Sequence, residues 1–164
     1  MKKFLISLSL LILLATVLAT SAWAGPLEDS LAADAKGDYA TELKINRPLA
    51  VQGVAWAQLL LGVMYDNGQG VVQDYAEAVK WYRLAAAQGK ARAQYNLGNM
   101  YAKGQGVAQD YIRAHMWLNL GAVSGDKDAV ANRDIVASKM TSQQIGEAQK
   151  RARECQARQF KNCD

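Results

Sequence analysis

An all-α fold, a short right-handed superhelical solenoid of about three antiparallel helix hairpins, is what this sequence predicts, and three observations carry the prediction. The first is an internal copy. Shifted by 36 residues, segment 57–92 lies on segment 93–128 with 18 of 36 positions identical. A period in this range marks stacked helical units, each too small to bury its apolar face alone. The second is three-and-four spacing within each copy: Leu61, Met64 and Tyr65, then Leu97, Met100 and Tyr101, give a first helix A a buried stripe. Ala78, Trp81 and Ala85, echoed by Ala114, Trp117 and Gly121, do the same for a second helix B. The third is the stretch GQGVVQDY at residues 68–75, which returns as GQGVAQDY at residues 104–111.

That copied stretch falls between A and B, and its chemistry is that of a joint. Gly68 and Gly104 can take the left-handed conformation that ends a helix. Gly70 and Gly106 permit a second bend, and Val71 and Val107 plug the corner. Asp74 and Asp110 stand where an N-cap is wanted, and Asp74 with Glu77 spells a capping box. A phosphate-cradling loop would need a lysine after the second glycine, and none is there. Gly62 and Gly98 lie inside the A helices, where glycine costs about 1 kcal/mol against alanine. That cost makes sense only if a neighbouring helix passes very close.

The remaining elements follow in chain order. Lys2 and Lys3 precede an apolar run over residues 4–18 that ends in Ala22-Trp23-Ala24, which reads as a secretory signal peptide, residues 1–24, with a small-x-small cleavage site. A membrane anchor would need about twenty apolar residues, and the polar Thr20 and Ser21 argue for cleavage. The residue after the site is Gly25 rather than a cysteine, which argues against a lipid anchor. The expected mature chain is therefore 25–164, periplasmic or secreted and without a membrane anchor. Residues 25–56 form an N-terminal partial unit: a short helix over 27–36 ended by Gly37, then a B helix in which Asp38 and Tyr39 align with Asp74 and Tyr75. Pro48 falls inside that helix and predicts a kink. Residues 57–92 and 93–128 are the two clear repeats. Residues 129–164 form a divergent C-terminal capping hairpin, with helices over 129–140 and 142–158 and a Thr141/Gln144 capping box at the second. Atypical ends are what a solenoid requires, because its terminal units face water on one side.

The pattern A-x-x-x-L-G-x-M-Y-x-x-G-x-G-V-x-x-D-Y, followed by A-x-x-W and A-x-x-G, resembles the Sel-1-like repeat family, relatives of the tetratricopeptide repeats. The match is close over residues 57–125 and looser over 37–53. The resemblance implies an α-solenoid adaptor that binds other proteins or peptides, with no reaction common to the family. One disulfide-rich branch, with cysteines separated by seven intervening residues in each unit, includes members linked to penicillin binding or β-lactam hydrolysis. Cys155 and Cys163 have that separation, but only once. The alternative function is accordingly a small cell-wall-active or β-lactam-binding hydrolase of that cysteine-containing type.

Composition and motifs weigh against the other function classes. The formal net charge is +4, and two of the lysines lie in residues 1–24; so small a balance argues against a nucleic-acid binder, and the Lys and Arg excess over residues 150–161 reads as a solvated helix face. No G-x-S-x-G, H-E-x-x-H or Cys-x-x-Cys pair is present, and the one histidine, His115, reads as a surface or packing residue beside Met116 and Trp117. No catalytic residue, metal ligand or cofactor is assigned. Export places Cys155 and Cys163 where disulfides persist. On one straight helix they would stand about 12 Å apart, beyond the roughly 7 Å that a bridge spans, so the helix is expected to end near Arg158 and the tail to fold back.

Binding residues are sought where the copies differ, because positions kept between repeats hold the solenoid together. On helix A those are Leu60, Val63 and Asn67 in one copy and Asn96, Asn99 and Lys103 in the next, and their spacing puts each trio on one helical face. Stacking then aligns the faces into a strip. Tyr82 and Tyr95 also fail to recur and are read as exposed contacts. The candidate binding residues are Asn67, Tyr95, Asn96, Asn99 and Lys103, the partner is a protein or peptide, and a monomer is expected.

Overall fold

The computed structural model describes residues 25–163, and all the regular structure among them is helical. The signal-peptide reading of residues 1–24 lies outside the described residues. Helix α1 covers residues 25–35. It is followed by α2 (Tyr39–Val51), α3 (Ala55–Asn67), α4 (Tyr75–Ala86), α5 (Ala91–Lys103), α6 (Tyr111–Ala122), α7 (Lys127–Ala137) and α8 (Ser142–Ala157). The described residues divide into two compact units, one ending at Ile45 and the other beginning at Asn46. In the first, Gly37 takes φ 70° to close the turn after α1, and the Asp38 carboxylate accepts from Thr41 N–H at 3.1 Å to start α2. Helix α2 continues through Pro48 to Val51 as one element.

The second unit is built around the copied joint. Gly68 and Gly104 sit at φ 71° and 69° and donate their backbone N–H to Met64 and Met100, the left-handed cap that satisfies a carbonyl orphaned at a helix end. The glutamines of the copied stretch satisfy another: Gln73 Nε2 donates to the Asp66 carbonyl at 2.7 Å and Gln109 Nε2 to the Ala102 carbonyl at 2.8 Å. Asp74 then caps α4 by accepting from Ala76 and Glu77 N–H, and Asp110 caps α6 by accepting from Arg113 N–H. The reciprocal half of the Asp74/Glu77 capping box does not form. The Asp74 N–H already donates to the Tyr65 carbonyl at 2.9 Å, and the Glu77 carboxylate pairs with Lys80. At α8 both halves are made, Gln144 N–H to Thr141 Oγ1 at 3.2 Å and Thr141 N–H to Gln144 Oε1 at 2.8 Å.

The helical stripes form the core, with Leu61, Met64, Leu97, Met100, Ala78, Ala85 and Ala114 all buried. Both A-helix glycines are close-approach sites. A Cβ on Gly62 would lie 2.6 Å from the Tyr82 ring, and one on Gly98 would lie 2.7 Å from Leu118 Cγ and 3.0 Å from Leu118 N. Tyr82 is therefore not the exposed contact that its failure to recur suggested. It is 1% exposed, filling over Gly62 the space that Leu118 fills over Gly98. Its hydroxyl donates to Asp66 Oδ2 at 3.1 Å. Burial, with the Asp66 carboxylate beside it, pushes the phenol pKa up, which keeps it a neutral donor.

Helices α3 and α4 pack as a pair, as do α5 and α6, and α4 packs onto α5 to join the repeats. The end of the stack differs from a plain hairpin: α7 and α8 each pack on α6 and scarcely touch one another. Helix α8 stops at Ala157, and Cys155 and Cys163 are joined by a disulfide with their Cα atoms 5.2 Å apart. The looped tail lays the Phe160 ring against Gly89, where a Cβ would meet it at 3.1 Å.

Candidate functional site

Helices α3, α5 and α7 begin at residues 55, 91 and 127, one repeat length apart, so α7 is a third A helix although its sequence has drifted. The positions that differ between repeats therefore extend by one more step: Leu60, Asn96, Asn132; Val63, Asn99, Ile135; Asn67, Lys103, Lys139. Between α5 and α7, against Tyr111 at the start of α6, lies a cleft of about 200 Å³. Asn99, Ala102 and Lys103 line it from α5, and Asn132, Ile135, Val136 and Lys139 line it from α7 and the turn beyond.

One asparagine organises the polar part of this cleft. Asn132 Nδ2 donates to Asn99 Oδ1 at 2.9 Å and to the Tyr95 hydroxyl at 3.2 Å. The Arg92 guanidinium lies over the Tyr95 ring, 4.8 Å from its centroid, and 3.9 Å from the Asp126 carboxylate. Lys139 Nζ stands 5.6 Å from the Tyr111 ring centroid. Lys103 is exposed and, among the described residues, has no carboxylate partner. Ile135 is 57% exposed at the cleft.

Of the residues predicted from sequence, Asn99 and Lys103 line the cleft itself. Tyr95 adjoins it through Asn132 and is half-buried rather than free. Asn96 is half-buried toward the Tyr82 hydroxyl. Asn67, at the exposed end of α3, is outside the cleft and spends its amide on Gln69 Oε1 at 3.1 Å. Asn132, Ile135 and Lys139 were missed. The signal was available: Asn132 and Lys139 stand 36 residues after Asn96 and Lys103.

His115 is a packing residue, 3% exposed on α6, with no hydrogen-bond partner at Nδ1. Burial, followed by the Arg133 guanidinium on α7, holds its pKa below the ordinary value, while Asp134 acts the other way. Protonation therefore favours the unfolded chain. The contribution of neutral His115 is complete above its unfolded pKa of about 6.5 and is lost as pH falls below that value through the depressed folded pKa. Denaturant midpoints at about pH 7.5 and about pH 5 are expected to diverge more for the wild type than for His115→Met. Equal divergence would contradict this placement.

Among the described residues no three His, Cys, Asp or Glu side chains gather into a metal-binding group, and no helix is long and apolar enough to cross a membrane. The hydrolase alternative finds no support in this geometry.

Comparison with known proteins agrees with the architecture. The family model described as Sel1 repeat matches residues 57–90 and 91–126. The chain is similar to a protective antigen of uropathogenic Escherichia coli strains that displays an SLR fold, with 29% identity and a TM-score of 0.69 over 74% of this chain and 27% of that one. It is also similar to a Sel1 repeat protein from Oxalobacter formigenes, with 31% identity and a TM-score of 0.60 over 65% of this chain and 42% of that one. The chain thus spans less than half the length of either solved relative. No match is found among curated proteins. Sel1 repeats generally mediate protein–protein interaction. Residues 57–126 match two Sel1 repeats, and the helices of residues 46–163 stack as a short helical-repeat solenoid.

Proposed function

We propose that this chain is an exported, non-enzymatic adaptor, working as a monomer, that holds a protein or peptide partner on the strip presented by α3, α5 and α7. One observation carries the reading. Between repeats the joint and most core positions are copied, whereas the strip positions change from Leu60, Val63 and Asn67 to Asn96, Asn99 and Lys103, and two of the changed residues, Asn99 and Lys103, line a cleft. Packing demands the first kind of residue and leaves the second free to serve recognition. Export is supported by the arrangement of Lys2, Lys3 and Ala22-Trp23-Ala24 and by the Cys155–Cys163 disulfide, a bond that persists in oxidising compartments.

Photo-cross-linking in the producing cell tests both parts. A photoreactive residue at position 103 is expected to yield a discrete protein adduct. The mass of the recovered chain is expected to begin at Gly25. A chain retaining Met1 contradicts export, and the absence of any adduct at position 103 contradicts the strip.

A further inference from the structure

Taking that adaptor reading as its basis, we propose that the α5/α7 cleft recognises an extended peptide segment bearing an acidic side chain beside an aliphatic one. The lining supplies complementary chemistry for each part of such a segment. Its only titratable cations are Lys103 and Lys139, which occupy equivalent places on successive repeats, and no carboxylate lines it. Lys103 is also without an acidic partner among the described residues. Two ammonium groups at one cleft, unneutralised by the protein, attract an anion and repel a basic segment.

The asparagine pair supplies the backbone contacts. Asn132 spends its Nδ2 on Asn99 Oδ1 and the Tyr95 hydroxyl, which leaves Asn132 Oδ1 as an acceptor and Asn99 Nδ2 as a donor. An acceptor and a donor held side by side match the N–H and C=O that an extended chain presents. The exposed Ile135, the partly buried Ala102 and the buried Val136 form the aliphatic part of the lining. About 200 Å³ of space takes one or two side chains, so the cleft reads a short stretch of a longer segment. The strip continues away from it toward Asn96 and α3, and a passing chain can follow that course whereas a chain terminus need not.

The test is amide-resolved NMR of the ¹⁵N-labelled protein, as its producing cell makes it, titrated with three pools of N-acetylated hexapeptides. The first pool is C-amidated, with two glutamates among leucine, valine and serine. The second has lysine in place of glutamate, and the third has glutamine there and a free C-terminal carboxylate. The acidic pool is expected to shift the side-chain amides of Asn99 and Asn132 and the backbone amides of Lys103 and Lys139. Joint Lys103→Glu and Lys139→Glu substitution is expected to weaken the response about tenfold or more. The basic pool is expected to be silent at these positions. An equal response to the basic pool, a response to the free-carboxylate pool alone, or shifts confined to other faces would each overturn the proposal. So would no response at millimolar peptide. If the position-103 cross-link forms in the cell while the acidic pool fails, the adaptor reading stands and only the acidic specificity falls; if both fail, both are lost.

Discussion

Replacing Gly106 with alanine is expected to destabilise the fold by about 2 to 6 kcal/mol, the sum of two separate penalties. Gly106 holds φ 70°, where an L side chain is strained. A Cβ there would also fall 2.2 Å from the Tyr75 carbonyl oxygen and 2.7 Å from the Ala76 nitrogen, and neither backbone atom can turn aside as a side chain can. The second copy of the joint therefore seats directly on the start of α4, and relief requires the two repeats to separate. Gly125 offers the control: it has φ 84°, but its Cβ would meet nothing within 4 Å, so Gly125→Ala carries the conformational penalty alone, about 1 to 2 kcal/mol. Chemical denaturation of both variants checks the order. Equal losses would mean that the joint does not carry the stacking contact.

Trp117→Ala is expected to cost about 3 to 5 kcal/mol, the usual range for emptying a tryptophan site in a core. Trp117 is 2% exposed, and α6, which carries it, packs against α5, α7 and α8. Trp81 occupies the same repeat position on α4 but is only half-buried, because α4 has no counterpart of α8 laid along it. Asp110→Ala, which removes one helix cap, is expected to cost about 1 kcal/mol. Denaturant melts that rank Trp117→Ala no worse than Asp110→Ala would displace Trp117 from the core.

The contrast between the two tryptophans shows what a repeat alignment conveys and what it leaves out. The 36-residue period, the left-handed glycines and the aspartate caps were legible because each depends on local backbone chemistry that a copied residue reports directly. Burial was less legible because it depends on which helix lies opposite. Tyr82 looked like an exposed contact because it differs from Leu118, yet the two are alternative solutions to filling the space above a helical glycine. The buried glutamines escaped notice for a related reason. Gln58 and Gln94 reach back to the Ala50 and Ala86 carbonyls at 3.2 and 3.3 Å, a pairing between successive units that no local pattern announces. The strip was legible on α3 and α5 but not on α7. Residues 129–140 have lost the glycine joint and the leucine stripe, and only Ala129, Asn132 and Lys139 keep the identity of the preceding copy.

On the adaptor reading the A-helix strip, and not the opposite face, meets the partner. A cross-link map in the producing cell tests it most directly, with a photoreactive residue placed in turn at 67, 103 and 139 on the strip, at 84 on α4 and at 123 just past the end of α6, where Leu84 and Val123 are exposed. Adducts of one common partner from positions 103 and 139, with none from 84 or 123, are the predicted result. Adducts from 84 and 123 with silence along the strip would contradict it.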